Sequence, residues 1–312
     1  MARSFFELKR NSVRDFENLR AMMRLDLGTH KRTRLRRAGC GNSNTLLHND
    51  VAANHGKMLA DDYGKRFGKL ARNEALERLR FLTVLHSLVP LDERRVVKAV
   101  RRMETALQRA FDGSETRTLG AVEVEIVNIE LLRRVSALSE DEARKLDVLE
   151  KLSESGGAFI GSLVDGSPLD RGVLVHFHGI VDVRGGSNLL LREKQLRQRL
   201  HKVAAWQRSP YQVELKKLFK DRTISKNIRD IASYVTKGGN DQLRYNAGFG
   251  RDLAEDLDAK IWRAGTGRAD RGGETVSDER GLTVGEIKFL DGVWRTLMDR
   301  KRNKRGYLIR IG

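Results

Sequence analysis

Hydrophobic and polar positions alternate in four stretches of the chain and recur every three to four residues in six others. A repeat of two predicts a strand with one buried face, and a repeat of three to four predicts an amphipathic helix. In chain order these are strand 80–85, helix 91–111, strand 119–129, helix 138–154, strand 173–183, helix 189–205, strand 211–215, helices 225–237 and 252–262, and a last helix starting at residue 283. With 138–154 as an insertion, this order predicts an α+β fold built on a split βαβ unit.

Helix ends are marked by capping residues. Ser225 is the predicted N-cap of helix 225–237, and Gly238 and Gly239 are its predicted stop. Ser139 with Glu142, and Thr283 with Glu286, form capping boxes that open the inserted and the last helix.

Two histidines lie two residues apart on the third predicted strand. His176 and His178 therefore share one face, while Val175, Phe177 and Val181 pack behind them. Both rings could bind one metal ion. The alternative interpretation is that the two histidines have no metal ion and either form hydrogen bonds at the edge of the sheet or lie on a face exposed to solvent.

Two carboxylates share a face of the second predicted strand, at Glu123 and Glu125. Carboxylates on a strand of β-branched residues are costly to bury without a partner, and a metal ion would be such a partner. On helix 225–237, Asp230, Tyr234 and Lys237 fall on one polar side. Asp230 could orient Lys237, although a surface ion pair is the simpler interpretation of this residue and is preferred.

Four short motifs in this order resemble the HUH endonucleases. They are Phe81-Leu82-Thr83, Glu123-Val124, His176-Phe177-His178-Gly179 and Tyr234-Val235-Thr236-Lys237, and the resemblance spans Arg78 to Asn240. The tyrosine follows the histidine pair, as in rolling-circle replication initiators (Rep) of plasmids and phages, whereas conjugative relaxases carry it near the N-terminus. One tyrosine on this helix indicates the single-tyrosine type.

The resemblance implies an HUH-type, ferredoxin-like or RRM-like antiparallel sheet with helices packed on it. His176, His178 and Glu123, with Glu125 as the alternate third ligand, would bind Mg²⁺ or Mn²⁺. Tyr234 would attack a phosphate of single-stranded or hairpin DNA at a replication origin, giving a 5′-phosphotyrosine link, and Lys237 would stabilise the phenolate or the phosphate.

The chain of 312 residues carries 60 Lys and Arg against 42 Asp and Glu, a net charge of +18. A polyanion is the natural partner of such a surface, and a merely solvated basic surface is the alternative. Aromatic residues make up 6% of the chain, which argues against extended base-stacking platforms. Phosphate contacts should therefore dominate DNA affinity.

Predicted domains are a basic, partly disordered region 1–74, an HUH endonuclease domain 75–245 and a helical basic region 246–312. DNA contacts are predicted at Lys31, Arg32, Arg34, Arg36, Arg37, Arg300, Lys301, Arg302, Lys304 and Arg305. For the cluster 31–37, the alternative interpretation is a flexible arm in solvent. For the cluster 300–305, the alternative is that its cations complement the dipole at the end of the last helix. His30, Cys40, His48 and His55 could make a zinc site, but their spacing matches no common finger.

One cysteine and no long apolar run predict a soluble, cytoplasmic protein with no membrane partner. Because no Gly-x-x-x-x-Gly-Lys-Ser/Thr motif occurs, we expect unwinding to come from a host helicase or from supercoiling. A host polymerase is the other expected partner. Two alternatives to replication initiation stay open: an HUH transposase or mobilisation nuclease, and a non-enzymatic DNA-binding regulator on a decayed nuclease scaffold.

Overall fold

The structure is a computed structural model that describes residues 35–129, 140–155, 171–184, 188–236, 284–299 and 305–312. The chain divides into two compact units, 1–42 with 241–287 and 43–240 with 288–312. The second unit contains the sheet and the candidate site. None of the helices in the described residues combines the length and the hydropathy needed to cross a membrane.

Between residues 79 and 236, the described strands and helices occur in the predicted order. The helices are α1 (Asn49–Phe67), α2 (Arg72–Arg78), α3 (Glu93–Phe111), α4 (Glu140–Ser155), α5 (Leu189–His201), α6 (Ile224–Thr236) and α7 (Val284–Asp299). The strands are β1 (Leu79–Val89), β2 (Arg117–Asn128), β3 (Arg171–Asp182), β4 (Val213–Lys217) and β5 (Leu308–Ile311). Helix α5 ends at His201, four residues before the predicted end at residue 205, and a short 3₁₀ turn, Ala204–Trp206, follows it.

The five strands form one antiparallel sheet in the order β4-β1-β3-β2-β5. This confirms the predicted α+β class with helices on an antiparallel sheet. The central strand is β3, with β1 and β2 beside it, and its register places Thr83 on one side of His178 and Ala121 on the other. The same register places Glu123 opposite His176.

Two glycines let the backbones of β2 and β3 pack closely together beside the histidines. Gly120 lies opposite Gly179, and a Cβ at Gly120 would come within 2.2 Å of the carbonyl oxygen of His178. It would also come within 2.4 Å of the ring of Phe177, which occupies the space that a side chain would need. Glycine at this position therefore allows the aromatic ring to pack over the two backbones.

The two faces of the sheet carry different helices. Arg80 is buried and donates from Nε to Glu193 Oε2 on α5 at 2.8 Å, so α5 packs on the face opposite Phe81. The face of Phe81 and the two histidines contacts α6, which packs on β2 and β3.

Helix α4 packs on the face of the sheet that carries the histidines, as the inserted helix predicted around 138–154. It closes a buried apolar cluster with the ends of three strands, made of Leu88, Val127, Ile129, Val148, Leu149, Leu152 and Leu174. Leu174 precedes His176 by two residues on β3 and so shares its face. Ser139, the predicted capping residue, lies outside the described residues.

Helix α1 is the largest departure from the expectation of a poorly defined region 1–74. Leu59, Tyr63 and Phe67 recur every four residues and are completely or almost completely buried, so a helical signal was present. The helix packs on α6 at Gly56, where a Cβ would lie 2.8 Å from Thr236 Oγ1. Two glycines and a histidine in the helix weaken the propensity on which sequence reasoning depends.

Strand β5 was not expected in a region predicted to be mainly helical. Its four residues pair with β2 and form the edge of the sheet, and Arg66 on α1 donates from NH2 to the carbonyl oxygen of Ile311 at 2.9 Å. Four residues are too few for the alternation of hydrophobic and polar positions to be recognised.

The N-cap of α6 is Thr223, and the prediction of Ser225 was wrong. The hydroxyl oxygen of Thr223 accepts a hydrogen bond from the backbone N–H of Lys226 at 3.1 Å. The helix therefore begins at Ile224, and Ser225 lies in its first turn. Gly238 and Gly239, the predicted stop, lie outside the described residues.

The stability of the fold should depend on the protonation of His86, a buried residue in β1. Its Nδ1 accepts a hydrogen bond from Trp206 Nε1 at 2.9 Å. Burial, followed by the charges of Arg102 and Arg208, lowers the pKa of His86 from 6.5 to about 4. The unfolded chain therefore takes up a proton first as the pH falls, and about 3 kcal/mol of stability is lost between pH 6.5 and pH 4.

Urea unfolding at several pH values tests this expectation against the variant His86→Asn. The Asn side-chain oxygen can still accept from Trp206 but does not titrate. We expect the free energy of unfolding to fall more steeply with acidification in the wild type, by about 2 kcal/mol more between about pH 7 and pH 5. Parallel curves for the two proteins would contradict the role of His86.

Candidate active site

A buried carboxylate and two buried imidazoles meet on one face of the sheet. Glu123 Oε2 lies 3.4 Å from His178 Nε2 and 3.7 Å from His176 Nε2. The three residues are 2–4% exposed. Among the residues that the structure describes, they form the one group of His, Cys, Asp and Glu with ligand atoms close enough to hold a metal ion, all within 4.8 Å.

The second acidic residue of β2 has a different partner. Lys145 on α4 donates from Nζ to both carboxylate oxygens of Glu125, each at 2.9 Å. Glu125 Oε2 also lies 3.9 Å from His176 Nε2, at the margin of the group. Because the ammonium of Lys145 balances the charge of Glu125, the geometry favours Glu123 as the third ligand and Glu125 as an outer neighbour.

The donor set fits a divalent cation. Two imidazole nitrogens and one carboxylate suit transition metals with coordination positions left open for substrate, whereas Mg²⁺ prefers sites made of oxygen atoms. Mn²⁺ accepts both kinds of donor. Of the two cations expected from the sequence, Mn²⁺ is therefore the better match to these side chains.

His178 is oriented by the first motif of the sequence. Thr83 Oγ1 lies 3.0 Å from His178 Nδ1, across the β1–β3 pair. When Nδ1 carries the proton and donates it to the hydroxyl, Nε2 keeps its lone pair for a metal ion. The ring of Phe81 stacks on the same imidazole, with a centroid distance of 5.7 Å and an interplanar angle of 3°.

The ring of Tyr234 packs against the group that could hold a metal ion. Its centroid lies 5.2 Å from that of His178 and 6.0 Å from that of Phe81, edge to face in both cases. Helix α6 holds the tyrosine there because Ile228, Ala232 and Val235 are buried on its other side. The sequence separates these aromatic residues by more than 50 positions, and the fold brings them together.

The polar side of α6 is partly occupied by an ion pair. Arg222 donates from NH1 to Asp230 Oδ2 at 2.9 Å, and Lys226 Nζ lies 3.9 Å from the same oxygen. Asp230 thus has surface partners, in line with the simpler of the two interpretations of this residue. Lys237 lies outside the described residues, and its role remains a prediction from the sequence.

Residues predicted to contact DNA are only partly described. Arg36 and Arg37 are exposed. Arg305 forms an ion pair with Asp62 on α1, at 2.6 Å from NH2 to Oδ2, and its side chain is only 18% exposed. This contact gives Arg305 a structural role. The residues that lie outside the described part of the chain are Lys31, Arg32, Arg34, Arg300, Lys301, Arg302 and Lys304.

The histidines considered for a zinc site have other contacts. His48 Nε2 lies 2.9 Å from Ser43 Oγ, and His55 Nδ1 lies 2.5 Å from the hydroxyl of Tyr307. Neither belongs to a metal-binding group in the described residues. His30 lies outside them.

Removing the hydroxyl of Thr83 is expected to weaken metal binding. Thr83→Val keeps the shape of the side chain but leaves His178 Nδ1 without this hydrogen bond, so we expect about a tenfold loss of Mn²⁺ affinity by calorimetric titration. Thr118→Val is a matched control, because Thr118 donates to the carbonyl oxygen of Ile180 rather than to a ligand. A Thr83→Val variant that binds Mn²⁺ as the wild type does would show that this bond does not orient the ring.

Comparison of the chain with models of known protein families, with curated proteins and with solved structures gives no significant match.

Proposed function

We propose that this protein is a metal-dependent DNA-nicking and strand-transfer enzyme of the HUH type, which starts rolling-circle replication of a plasmid, a phage or an integrated element. The observation that carries the proposal is the packing of the Tyr234 ring on His178, one of three grouped residues that could hold a metal ion. The motif order of the sequence and the net charge of +18 support it.

His176, His178 and Glu123 would hold the divalent cation in this proposal. A bound cation supplies Lewis-acid chemistry, because it draws charge from the oxygens of the scissile phosphate. Thr83 and Phe81 contact His178 from the neighbouring strand, and the sheet register places Glu123 opposite His176, where its Oε2 lies within 3.7 Å of Nε2 of both imidazoles. Burial of the three ligands keeps competing water away from them.

Tyr234 would be the nucleophile. Its phenolic oxygen forms a bond to phosphorus while the bond from phosphorus to the 3′ oxygen breaks; the phenol loses a proton and the leaving 3′ oxygen gains one. The products are a 5′-phosphotyrosine link and a free 3′-OH. One phosphoester bond replaces another, so the 3′-OH can attack the link in reverse without ATP.

Incubation of the purified protein with circular single-stranded DNA and Mn²⁺ tests this function. We expect a denaturing gel to show linear DNA and a covalent protein–DNA adduct, both lost when EDTA is added. Origin-containing hairpins from plasmids and phages, compared with transposon ends, would separate replication from transposition or mobilisation by substrate preference.

Absence of an adduct on linear, circular and hairpin strands, with Mn²⁺ or Mg²⁺, would overturn the proposal. If DNA binding persisted in that case, the protein would be a DNA-binding regulator without nuclease activity.

A further inference from the structure

An exposed aromatic ring lies in the turn that leads into the helix of Tyr234. Phe219, between β4 and α6, is 59% exposed, the second highest value among the exposed large hydrophobic side chains of the described residues. Single exposed apolar residues are common on protein surfaces. Phe219 differs from them in two ways: a buried side chain holds its backbone by hydrogen bonds, and a guanidinium group lies over its ring.

A buried asparagine fixes the backbone of Phe219 from both sides. Asn227 on α6 is 1% exposed; its Oδ1 accepts from the N–H of Phe219 at 3.0 Å, and its Nδ2 donates to the carbonyl oxygen of Phe219 at 2.9 Å. The ring is therefore presented to solvent by a rigid turn. Such preorganisation lowers the entropy lost when a ligand binds.

A cation lies over the ring. The guanidinium carbon of Arg222 is 4.2 Å from the centroid of Phe219, well within cation–π range, and its NH1 is fixed by Asp230 on α6. Most of Phe219 stays open to solvent despite this contact. The other N–H groups of the guanidinium can donate to a phosphate oxygen.

The pair is attached to the helix that carries the candidate nucleophile. Asp230 and Tyr234 are one helical turn apart on the same side of α6, so Arg222 approaches the side that carries Tyr234. Lys216 on β4 lies opposite Phe81, whose ring contacts both His178 and Tyr234. The Phe219 turn is thus joined to the helix that carries Tyr234, and Lys216 lies on the strand next to Phe81.

The charge of this segment matches a polyanion. Lys216–Asp230 carries six Lys or Arg and two Asp, a net charge of +4. Basic side chains that alternate with an exposed ring are the pattern that binds the backbone and the bases of a single strand together. Duplex DNA would offer the phosphates but no free base to stack.

We propose that Phe219 and Arg222 form a base-stacking site for the single-stranded DNA that flanks the scissile phosphate at Tyr234. This inference rests on the proposed function. One base stacks on the Phe219 ring, and Arg222 contacts the adjacent phosphate. A single ring agrees with the low aromatic content of the chain, which provides no extended platform.

Fluorescence anisotropy with a short labelled oligothymidine in EDTA, where no cleavage occurs, tests the site. We expect Phe219→Ala to weaken binding about 5- to 100-fold and Phe219→Trp to restore or tighten it. The slope of log affinity against log salt should stay unchanged, because no phosphate contact is removed. Binding to duplex DNA should not respond to either substitution.

Tyr211→Ala is the matched control. Tyr211 is 46% exposed, and the guanidinium of Arg144 lies 5.5 Å from its ring centroid, so the control removes a similar exposed aromatic–arginine pair. We expect no change in its affinity for the oligothymidine. Thermal unfolding of each variant would confirm that the fold is retained.

Unchanged affinity in Phe219→Ala would overturn the stacking site, and so would equal losses on duplex DNA or in the Tyr211→Ala control. If an oligouridine bound more tightly than the oligothymidine in a Phe219-dependent way, RNA would replace DNA as the partner. A wild-type protein that nicks DNA while Phe219→Ala binds normally would leave the proposed function intact. A wild-type protein that neither nicks nor binds single strands would remove both.

Discussion

Changing Tyr234 to phenylalanine is expected to abolish the covalent protein–DNA adduct and to lower nicking of single-stranded DNA at least about a thousandfold. The phenolic oxygen is the proposed nucleophile, and phenylalanine lacks it. The ring itself would remain, so its edge-to-face contacts with Phe81 and His178 should persist. Gel analysis of the adduct and anisotropy of DNA binding measure the two effects separately.

Tyr211→Phe is the control for this substitution, because it removes one hydroxyl from an exposed tyrosine in the turn before β4. It should nick DNA at the wild-type rate. Mass spectrometry of the adduct should place the nucleotide on the peptide that contains Tyr234. An adduct on another tyrosine, or normal nicking by Tyr234→Phe, would overturn the assignment of the nucleophile; loss of DNA binding together with nicking would indicate a structural defect.

The faces of the strands could be predicted from sequence because alternation is a local property of the chain. His176 and His178 had to share a face wherever the strand lay in the sheet, and so did Glu123 and Glu125. Helix α6 was predictable for the same reason, since Ile228 and Val235 mark its buried side. These local patterns grouped the candidate ligands on strand faces and placed Tyr234 on the polar side of its helix, and the resemblance to the HUH endonucleases supplied the expected role of the tyrosine.

Contacts across strands could not be predicted, because they depend on register. Thr83 meets His178 only because β1 pairs with β3 in one particular alignment, and a shift by one residue would turn its side chain to the other face. Which of Glu123 and Glu125 is the third candidate ligand also depends on register, here that of β2 against β3. This choice also depends on Lys145, which comes from an inserted helix that sequence patterns do not place relative to the sheet.

The packing of α1 on α6 could not be predicted from the sequence either. The contact of α1 with α6 depends on Gly56, where a single absent side chain lets the two helices approach closely. Glycine in a helical pattern lowers the helix prediction, although here it allows the packing that supports the helix of Tyr234. At Gly56, local propensity therefore disfavours the helix, whereas tertiary packing stabilises it.

Changing Glu123 to glutamine is expected to weaken Mn²⁺ binding about a hundredfold or more and to remove metal-dependent nicking. The substitution keeps the size of the buried side chain but removes the charge and one strong ligand oxygen next to His176 and His178. Calorimetric titration of Mn²⁺ into the metal-free protein measures the affinity directly. Titration of Mg²⁺ should show weaker binding to the wild type, since two of the three donors are imidazoles.

Glu125→Gln is the matched control on the same face of the same strand. Because Lys145 holds both of its oxygens, Glu125 would act only as an outer neighbour of the metal, so we expect at most about a tenfold loss of Mn²⁺ affinity, far less than for Glu123→Gln. The opposite order of the two variants would make Glu125 the ligand and Glu123 its neighbour. Wild-type affinity in both would exclude a carboxylate from the site, and the two histidines would then require another explanation for lying beside a buried glutamate.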